Sequence, residues 1–529
     1  MTLQRAQRPL RMRLGAAVCA ALVGVALPAA RAQNILPALG DSVSEDLPVA
    51  TERKLGDEIM REIRRDPDYS DDPVLLEYIE SIWQPLVAQA RRDGHIGADT
   101  DDRFAWEAFL VRDRSVNAFA LPGGYVGVHL GLIAITATRD ELASVLAHEM
   151  SHVTQRHIAR SVANSKRQSL LSMASLIVGV LVASRSGRSG GDVANAAITG
   201  GQALAMQGQL NFSRDMEREA DRVGMAAMQG AGYAPAGMAA MFEKLDQTSR
   251  LNESGGFPYL RSHPLTSERI GEARSRVGSA LPPTVLKANP IEHAVAQARA
   301  RVLMDPRVDG LRRAQSRTPA ADAAGRGGAA LADAASAAYE SALASTLLKD
   351  WARADASLQA AGALLRGAAT PEPRAERAFA LLGAQAQIDR GATARAAALL
   401  APYAGERSRP VLLMSAQTAL AQADAAALQR SAEELQTWVA MRGSDAQAWG
   451  ALGQPLRAIR ADAEASLALG DLQGATDRLR AGQRRARPAA GTPVAPGDFI
   501  DLSVIDARLR DIEALRRQLS ADSRETKSF

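Results

Sequence analysis

The sequence predicts a mainly α-helical protein, in which a helical domain with a small antiparallel β-sheet precedes a domain of helical repeats. Three observations predict this fold class. Aromatic residues make up only 4% of the 529 residues, which disfavours a large β-sandwich or barrel. Alanine, the strongest helix former, occurs in clusters along the chain. Hydrophobic residues are 47% and charged residues 23% of the chain, a composition typical of globular proteins and not of disordered ones.

Residues 1–32 are typical of a cleaved secretory signal peptide. Several arginines precede a short apolar run, and Ala30-Arg31-Ala32 has the small-x-small pattern of a cleavage site. The run Leu14–Leu27 is shorter than the ~20 residues that a membrane-spanning helix needs, which favours export over a membrane anchor. We therefore expect the mature chain to begin at Gln33.

Loss of the signal peptide changes the charge and the chemistry of the chain. Five arginines and no acids leave with it, so the formal net charge of +4 becomes −1. This balance disfavours binding to nucleic acids. Cys19, the only cysteine, leaves as well, so a bound metal ion must be held by histidines and carboxylates.

The first part of the mature chain predicts helices and then strands. Residues 51–92 predict two helices, the second beginning at Asp72-Pro73, a favourable N-cap and first helical residue. Phe104–Val111 and Val116–Leu132 are rich in apolar and β-branched residues and predict the small antiparallel sheet. Leu121-Pro122-Gly123-Gly124 predicts a turn within it.

The next part of the chain predicts further helices. Thr138-Arg139-Asp140-Glu141 is a capping box, and we expect its helix to continue to about Val162. Ser213 is predicted to cap another helix, and residues 236–247 predict one more. The apolar stretch at 169–183 is too short to span a bilayer and predicts at most a peripheral membrane contact.

A composition change predicts the domain boundary. Prolines 282, 283 and 290 separate a domain at residues 33–280 from a second domain at 290–529. The amphipathic helix pairs of the second domain resemble degenerate tetratricopeptide repeats. A plain helical bundle is the alternative.

The predicted capped helix carries the pattern His148-Glu149-x-x-His152. Because four residues advance a helix by about one turn, both imidazoles point the same way. This is the geometry in which two histidines bind a tetrahedral zinc ion. Glu149 lies one position along and can take a proton from a water beside the metal.

A third metal ligand is expected among carboxylates downstream. Glu217 and Asp221 are four residues apart and share one face of a predicted helix. One carboxylate can bind the metal, and the other can orient a ligand histidine. The spacing alone leaves open which residue has which role. Glu219 is rotated by about 200° from them and is expected to be solvated.

These motifs resemble the zinc metallopeptidase family of HtpX and the CAAX prenyl proteases. The resemblance covers roughly residues 45–275 and includes the segments Asn117–Gly124 and Ser262–Ile270. It implies a helical zincin-type domain of the gluzincin class that binds one zinc ion per chain. His148, His152 and Glu217 are then the zinc ligands, Asp221 supports a ligand, and Glu149 is the general base.

Two further roles stay open from the sequence. His263 or Arg269 could donate a hydrogen bond to the developing oxyanion. His263 could instead be a fourth protein ligand, which would displace the water that zinc must activate. Histidine 157 is expected to be structural, and histidines 95, 129 and 293 belong to no motif.

The segment around Asn117, Phe119 and Ala120 is predicted to bind substrate. An extended chain can add to the edge of such a strand through main-chain hydrogen bonds. This mode tolerates many side chains and therefore suits unfolded or misassembled proteins as substrates.

The signal peptide and the repeats narrow the resemblance to periplasmic members that act in β-barrel assembly. The implied function is a periplasmic zinc endopeptidase that hydrolyses misassembled outer-membrane or envelope proteins. The repeats are expected to bind substrate or the outer-membrane β-barrel assembly machinery. The alternative is a chaperone or scaffold in which proteolysis is secondary.

Overall fold

The computed structural model describes most of the chain from residue 47 onwards. The described residues are 47–163, 214–251, 258–279, 290–319, 328–368, 370–424, 426–427, 429–431, six positions between 456 and 466, 471–486 and 496–525. The predicted signal peptide at 1–32, the apolar stretch at 169–183 and the predicted cap Ser213 lie outside them. Within the described residues, no helix combines the length and the apolar character needed to cross a membrane.

The described part of the chain is mainly α-helical, which confirms the predicted fold class. Its first half contains the helices α1 Val49–Ile63, α2 Pro73–Arg92, α3 Ala98–Arg103, α4 Leu130–Ile135, α5 Arg139–Thr154, α6 His157–Ala163, α7 Arg214–Gly230, α8 Ala236–Leu251, α9 Pro258–Ser262 and α10 Ser267–Ser279. The second half contains α11 Pro290–Leu303, α12 Val308–Gln315, α13 Gly328–Leu347, α14 Trp351–Arg366, α15 Pro373–Asp389, α16 Thr393–Leu400, α17 Arg409–Gln422, α18 Leu472–Ala486 and α19 Pro496–Glu525.

The helix that carries the histidine pair begins where the capping box predicts. The Thr138 side chain accepts a hydrogen bond from the Glu141 N–H, and the Glu141 carboxylate accepts one from the Ala137 N–H. The end of the helix differs from the prediction. α5 stops at Thr154 and α6 restarts at His157, because Arg156 adopts a left-handed φ of 51°.

The sheet is mixed and not antiparallel as predicted. Its strands are β1 Tyr69–Ser70, β2 Glu107–Val111, β3 Ala118–Leu121 and β4 Tyr125–His129, in the spatial order β1-β2-β4-β3. β3 and β4 form an antiparallel hairpin, whereas β2 and β4 are parallel. After β2 the chain leaves the neighbouring position in the sheet empty and forms β3 one position further out. β4 then fills the position between β2 and β3 and runs parallel to β2. β3 is consequently at the edge of the sheet.

The second half of the chain is joined to the first through α11. Ala296 and Ala300 of this helix pack into the large core that surrounds α2 and α5, while Val295 and Val302 pack into a second core with Tyr339. Consecutive helices α13 and α14 pack on each other, as do α15 and α16. The repeat character and the independent folding of residues 290–529 stay predictions.

α7 approaches α5 closely at a glycine. A Cβ atom placed on Gly224 would lie 3.0 Å from the backbone carbonyl carbon and oxygen of Ala147 and 3.1 Å from the His148 nitrogen. Glu217, Asp221 and Gly224 lie on one face of α7, because their spacing is that of successive helical turns. The face that carries the two carboxylates is therefore the one that contacts α5.

We expect Gly224→Val to destabilise the protein by about 1–3 kcal/mol, because its methyl groups would force the two helices apart. Urea denaturation of the full chain measures this. Gly271→Val is the matched control, since a Cβ atom on Gly271 of α10 has no neighbour within 4 Å. Equal unfolding midpoints for the two variants would contradict the close approach.

Candidate metal centre

Four buried side chains from separate segments meet beside α5. They are His148 and His152 of α5, Glu217 of α7 and His263, which follows α9. One potential ligand atom of each lies within 4.8 Å of the others. The structure thus brings together the residues that the sequence singled out as metal ligands, with His263 as a fourth.

The spacing of their ligand atoms suits a tetrahedral metal ion. His148 Nε2 is 3.0 Å from His152 Nε2, 3.3 Å from His263 Nδ1 and 3.5 Å from Glu217 Oε2. Glu217 Oε1 is 3.0 Å from His263 Nδ1 and 3.5 Å from His152 Nε2. Nitrogen and oxygen atoms bound to one tetrahedral zinc lie about 3.3 Å apart. The residues present therefore fit zinc.

Glu149 provides a second observation that fits a metal site. Its side chain is fully buried, and among the described residues neither of its carboxylate oxygens has a hydrogen-bond partner. Burial raises the pKa of Glu149, and the nearby His263 and His148 oppose the rise. A buried carboxylate without a hydrogen bond is costly. A hydrogen-bond donor held in the metal site, such as a water molecule, would reduce that cost.

Asp221 lies behind His148 and is held by Arg269. Asp221 Oδ1 is 2.9 Å from His148 Nδ1, on the side of the ring away from the other ligands. Burial lowers the pKa of His148, but the carboxylates of Asp221 and Glu217 outweigh it and raise the value to about 10. Asp221 therefore lies where the sequence analysis expected a carboxylate that orients a ligand histidine.

Arg269 of α10 contacts two carboxylates of α7, those of Asp221 and Glu217. Its Nε and Nη2 donate to the two oxygens of Asp221 at 2.7 and 2.8 Å, and its Nη1 lies 2.8 Å from Glu217 Oε2. Burial would raise the pKa of Asp221, but these hydrogen bonds lower it. The guanidinium is thus engaged with carboxylates, which argues against the alternative role of Arg269 as an oxyanion donor.

The edge strand β3 lies beside the centre. β3 packs against α5, and the backbone N–H of Ala120 is close enough to the Glu149 carboxylate to oppose the rise of its pKa. Asn117, Phe119 and Ala120 are each partly exposed. The edge strand therefore lies next to Glu149.

Two residues near the centre make contacts that the sequence analysis did not predict. Glu219 was expected to be solvated, but it is partly buried and contacts His157 and Arg160. His157 was expected to be structural and to point away from His152, but its Nδ1 is 2.9 Å from the Nδ1 of His152. The prediction assumed one continuous helix, in which residues 152 and 157 point apart. The break at Arg156 brings them together.

The remaining histidines lie away from the centre. His129 is buried and contacts Ser115 Oγ through its Nδ1. His293 of α11 is buried between the Tyr78 hydroxyl and the carbonyl of Thr136. His95 is partly exposed.

Comparisons with known proteins agree with this geometry. Residues 77–277 match the model of peptidase family M48, which confirms the resemblance drawn from the motifs. The chain is 37% identical over 285 residues to a putative beta-barrel assembly-enhancing protease of Vibrio cholerae, covering 53% of this chain and 55% of the relative. It is 35% identical over 280 residues to the beta-barrel assembly-enhancing protease of Escherichia coli, with the same coverage of 53% and 55%.

A more distant similarity concerns a mitochondrial enzyme. The mitochondrial metalloendopeptidase OMA1 of Saccharomyces cerevisiae is 30% identical over 202 residues, which is 36% of this chain and 53% of the relative. The chain spans about half the length of the curated relatives it matches.

We expect the purified full chain to contain one zinc ion, and His148→Ala or His152→Ala to lose it, because each removes a ligand from a four-residue cluster. Metal analysis by mass spectrometry measures the content per chain. His95→Ala, which changes a histidine outside the cluster, should keep full occupancy. Full zinc content in both ligand variants would contradict the site.

Proposed function

We propose that this chain, which carries a peptidase family M48 domain at residues 77–277, is a zinc-dependent endopeptidase. The observation that carries the proposal is the buried cluster of His148, His152, Glu217 and His263 with the carboxylate of Glu149 beside it. A ligand set of histidines and one glutamate next to a second, buried glutamate is the chemistry of a hydrolytic metal site.

The residues of the site have different roles in the proposed hydrolysis. His148, His152 and Glu217 would hold zinc, which when bound supplies a Lewis acid that polarises the scissile carbonyl and lowers the pKa of a water. Glu149 accepts the proton of the attacking water and returns it to the leaving nitrogen. The raised pKa of Glu149 suits this exchange, because the proton is held more firmly than on an exposed carboxylate.

Substrate binding is assigned to the edge of β3. Main-chain groups of Ala118–Leu121 on the side away from β4 would pair with an extended substrate. Asn117, Phe119 and Ala120 line this edge. Pairing through the main chain makes few demands on side chains, and therefore we propose unfolded or misassembled proteins as the substrate class.

The cellular role is proposed from the relatives and the N-terminal sequence. Two relatives are named for enhancing beta-barrel assembly, and residues 1–32 have the pattern of a signal peptide. We place the enzyme in the periplasm, acting on misassembled outer-membrane or envelope proteins. The helices from 290 onwards would bind substrate or the outer-membrane β-barrel assembly machinery.

We also propose that His263 holds the enzyme at rest. Its Nδ1 lies with the ligand atoms of the other three residues, and its Nε2 is 3.4 Å from Glu149 Oε1. A side chain in this place would take the position of the attacking water. The geometry favours this role over that of an oxyanion donor, since the imidazole is directed at the ligands themselves.

Glu149→Gln should keep zinc and stability but lose proteolysis by about 10²–10⁴-fold, because the amide cannot accept the water's proton. Casein cleavage with and without a chelator measures this, with the exposed Glu62→Gln as control. Wild-type cleavage by Glu149→Gln would refute the general-base role. Complementation of a barrel-assembly defect by the same variant would favour the chaperone or scaffold function.

His263→Ala should raise basal proteolysis, including cleavage of the enzyme itself, because the position of the attacking water becomes accessible. Initial rates of casein cleavage at equal zinc occupancy test this. A fall of about 10²-fold or more would instead identify an oxyanion donor. An unchanged rate would defeat both roles.

A further inference from the structure

We propose that His157 and Glu219 form a hydrogen-bond chain that fixes the ring of His152 with its Nε2 lone pair directed at the metal site. The inference rests on the proposed zinc site. It assigns two positioning residues outside the ligand set, and neither touches the metal or the substrate in this role.

Two short contacts connect His152 to Glu219 through His157. His157 begins α6 directly after the break at Arg156, and both His152 and His157 are completely buried. His152 Nδ1 is 2.9 Å from His157 Nδ1, and His157 Nε2 is 3.1 Å from Glu219 Oε2. The same Glu219 oxygen accepts a hydrogen bond from Arg160 Nη1 at 2.8 Å.

The positions of the protons in this series of hydrogen bonds follow from which groups can donate. An ionised carboxylate only accepts hydrogen bonds, so His157 Nε2 must carry a proton toward Glu219. In a neutral His157 the Nδ1 is then an acceptor, and His152 Nδ1 must donate to it. The neutral His152 is left with its lone pair on Nε2, the atom that faces His148 and Glu217. That is the form in which a histidine binds zinc.

The contacts of Glu219 agree with these proton positions. Glu219 Oε2 lies within hydrogen-bond distance of two N–H groups, Arg160 Nη1 and His157 Nε2, as expected for a carboxylate that only accepts hydrogen bonds. The Arg160 guanidinium already supplies the positive charge beside Glu219, so a neutral His157 leaves one cation paired with one carboxylate.

The two ligand histidines of α5 are thus oriented in different ways. His148 faces a carboxylate directly, Asp221, which Arg269 holds. His152 faces the imidazole of His157, and the carboxylate of Glu219 lies on the far side of that imidazole. Partners of this kind fix the ring and raise the basicity of the ligand, and their loss typically costs about 10- to 100-fold in metal affinity.

Two substitutions of His157 separate its hydrogen bond from its volume. His157→Phe keeps a ring but removes both nitrogens. His157→Asn places an amide oxygen near the position of Nδ1, where it can accept from His152. In chelator competition on the full chain, we expect the zinc dissociation constant to rise by about 10- to 100-fold in His157→Phe. Most of that loss should be regained in His157→Asn.

A matched control tests whether loss of any buried histidine has this effect. His129→Phe removes a buried imidazole that contacts Ser115 and lies outside the ligand cluster. It should leave the zinc dissociation constant unchanged, even if the unfolding midpoint falls. A purely structural role of His157 would lower the unfolding midpoint of the metal-free protein in both phenylalanine variants without changing zinc affinity.

Glu219→Ala provides a second route if His157→Phe does not fold. It removes the acceptor that orients His157, and zinc affinity should again fall. Wild-type affinity in Glu219→Ala and in every folded His157 variant, with one zinc in the wild type, would overturn this inference alone. Absence of zinc from the wild-type chain would instead contradict the proposed function.

Discussion

The close approach of α5 and α7 is the constraint on which the metal centre depends. At Gly224 the two helices are separated by little more than backbone. Asp221 lies about one turn before this contact and Glu217 about two turns before it, on the same face. A side chain at the contact would require the two helices to shift apart. The glycine therefore allows Glu217 and Asp221 to approach the histidines of α5.

The second constraint is that the centre buries charged carboxylates. They are stabilised by pairing with positively charged and imidazole side chains. Glu149, Glu217 and Asp221 are all buried, and isolated buried carboxylates are strongly unfavourable. Arg269 compensates two of them, and the imidazoles of His148 and His263 lie beside Glu217. The same pairing fixes the side chains in position, so stability and preorganisation for a cation have one physical origin.

The sequence predicts what a single helix determines and misses what the arrangement of helices determines. Helical periodicity within α5 predicts that His148, Glu149 and His152 lie close together. Periodicity within α7 predicts the same for Glu217 and Asp221. The choice between Glu217 and Asp221 depends on how α7 is rotated against α5, which spacing within one helix does not contain. The contact of His157 with His152 depends on a left-handed φ at Arg156, and arginine gives no signal for that conformation. The parallel pairing of β2 with β4 likewise depends on a chain crossing.

X-ray absorption at the zinc edge of the full-length protein tests the metal centre most directly. Convergence of His148, His152, His263 and Glu217 predicts a four-coordinate shell of nitrogen and oxygen at about 2.0–2.1 Å, with imidazole scattering from three rings. A six-coordinate oxygen shell, or fewer than three imidazoles, would contradict the arrangement of ligands described for this chain.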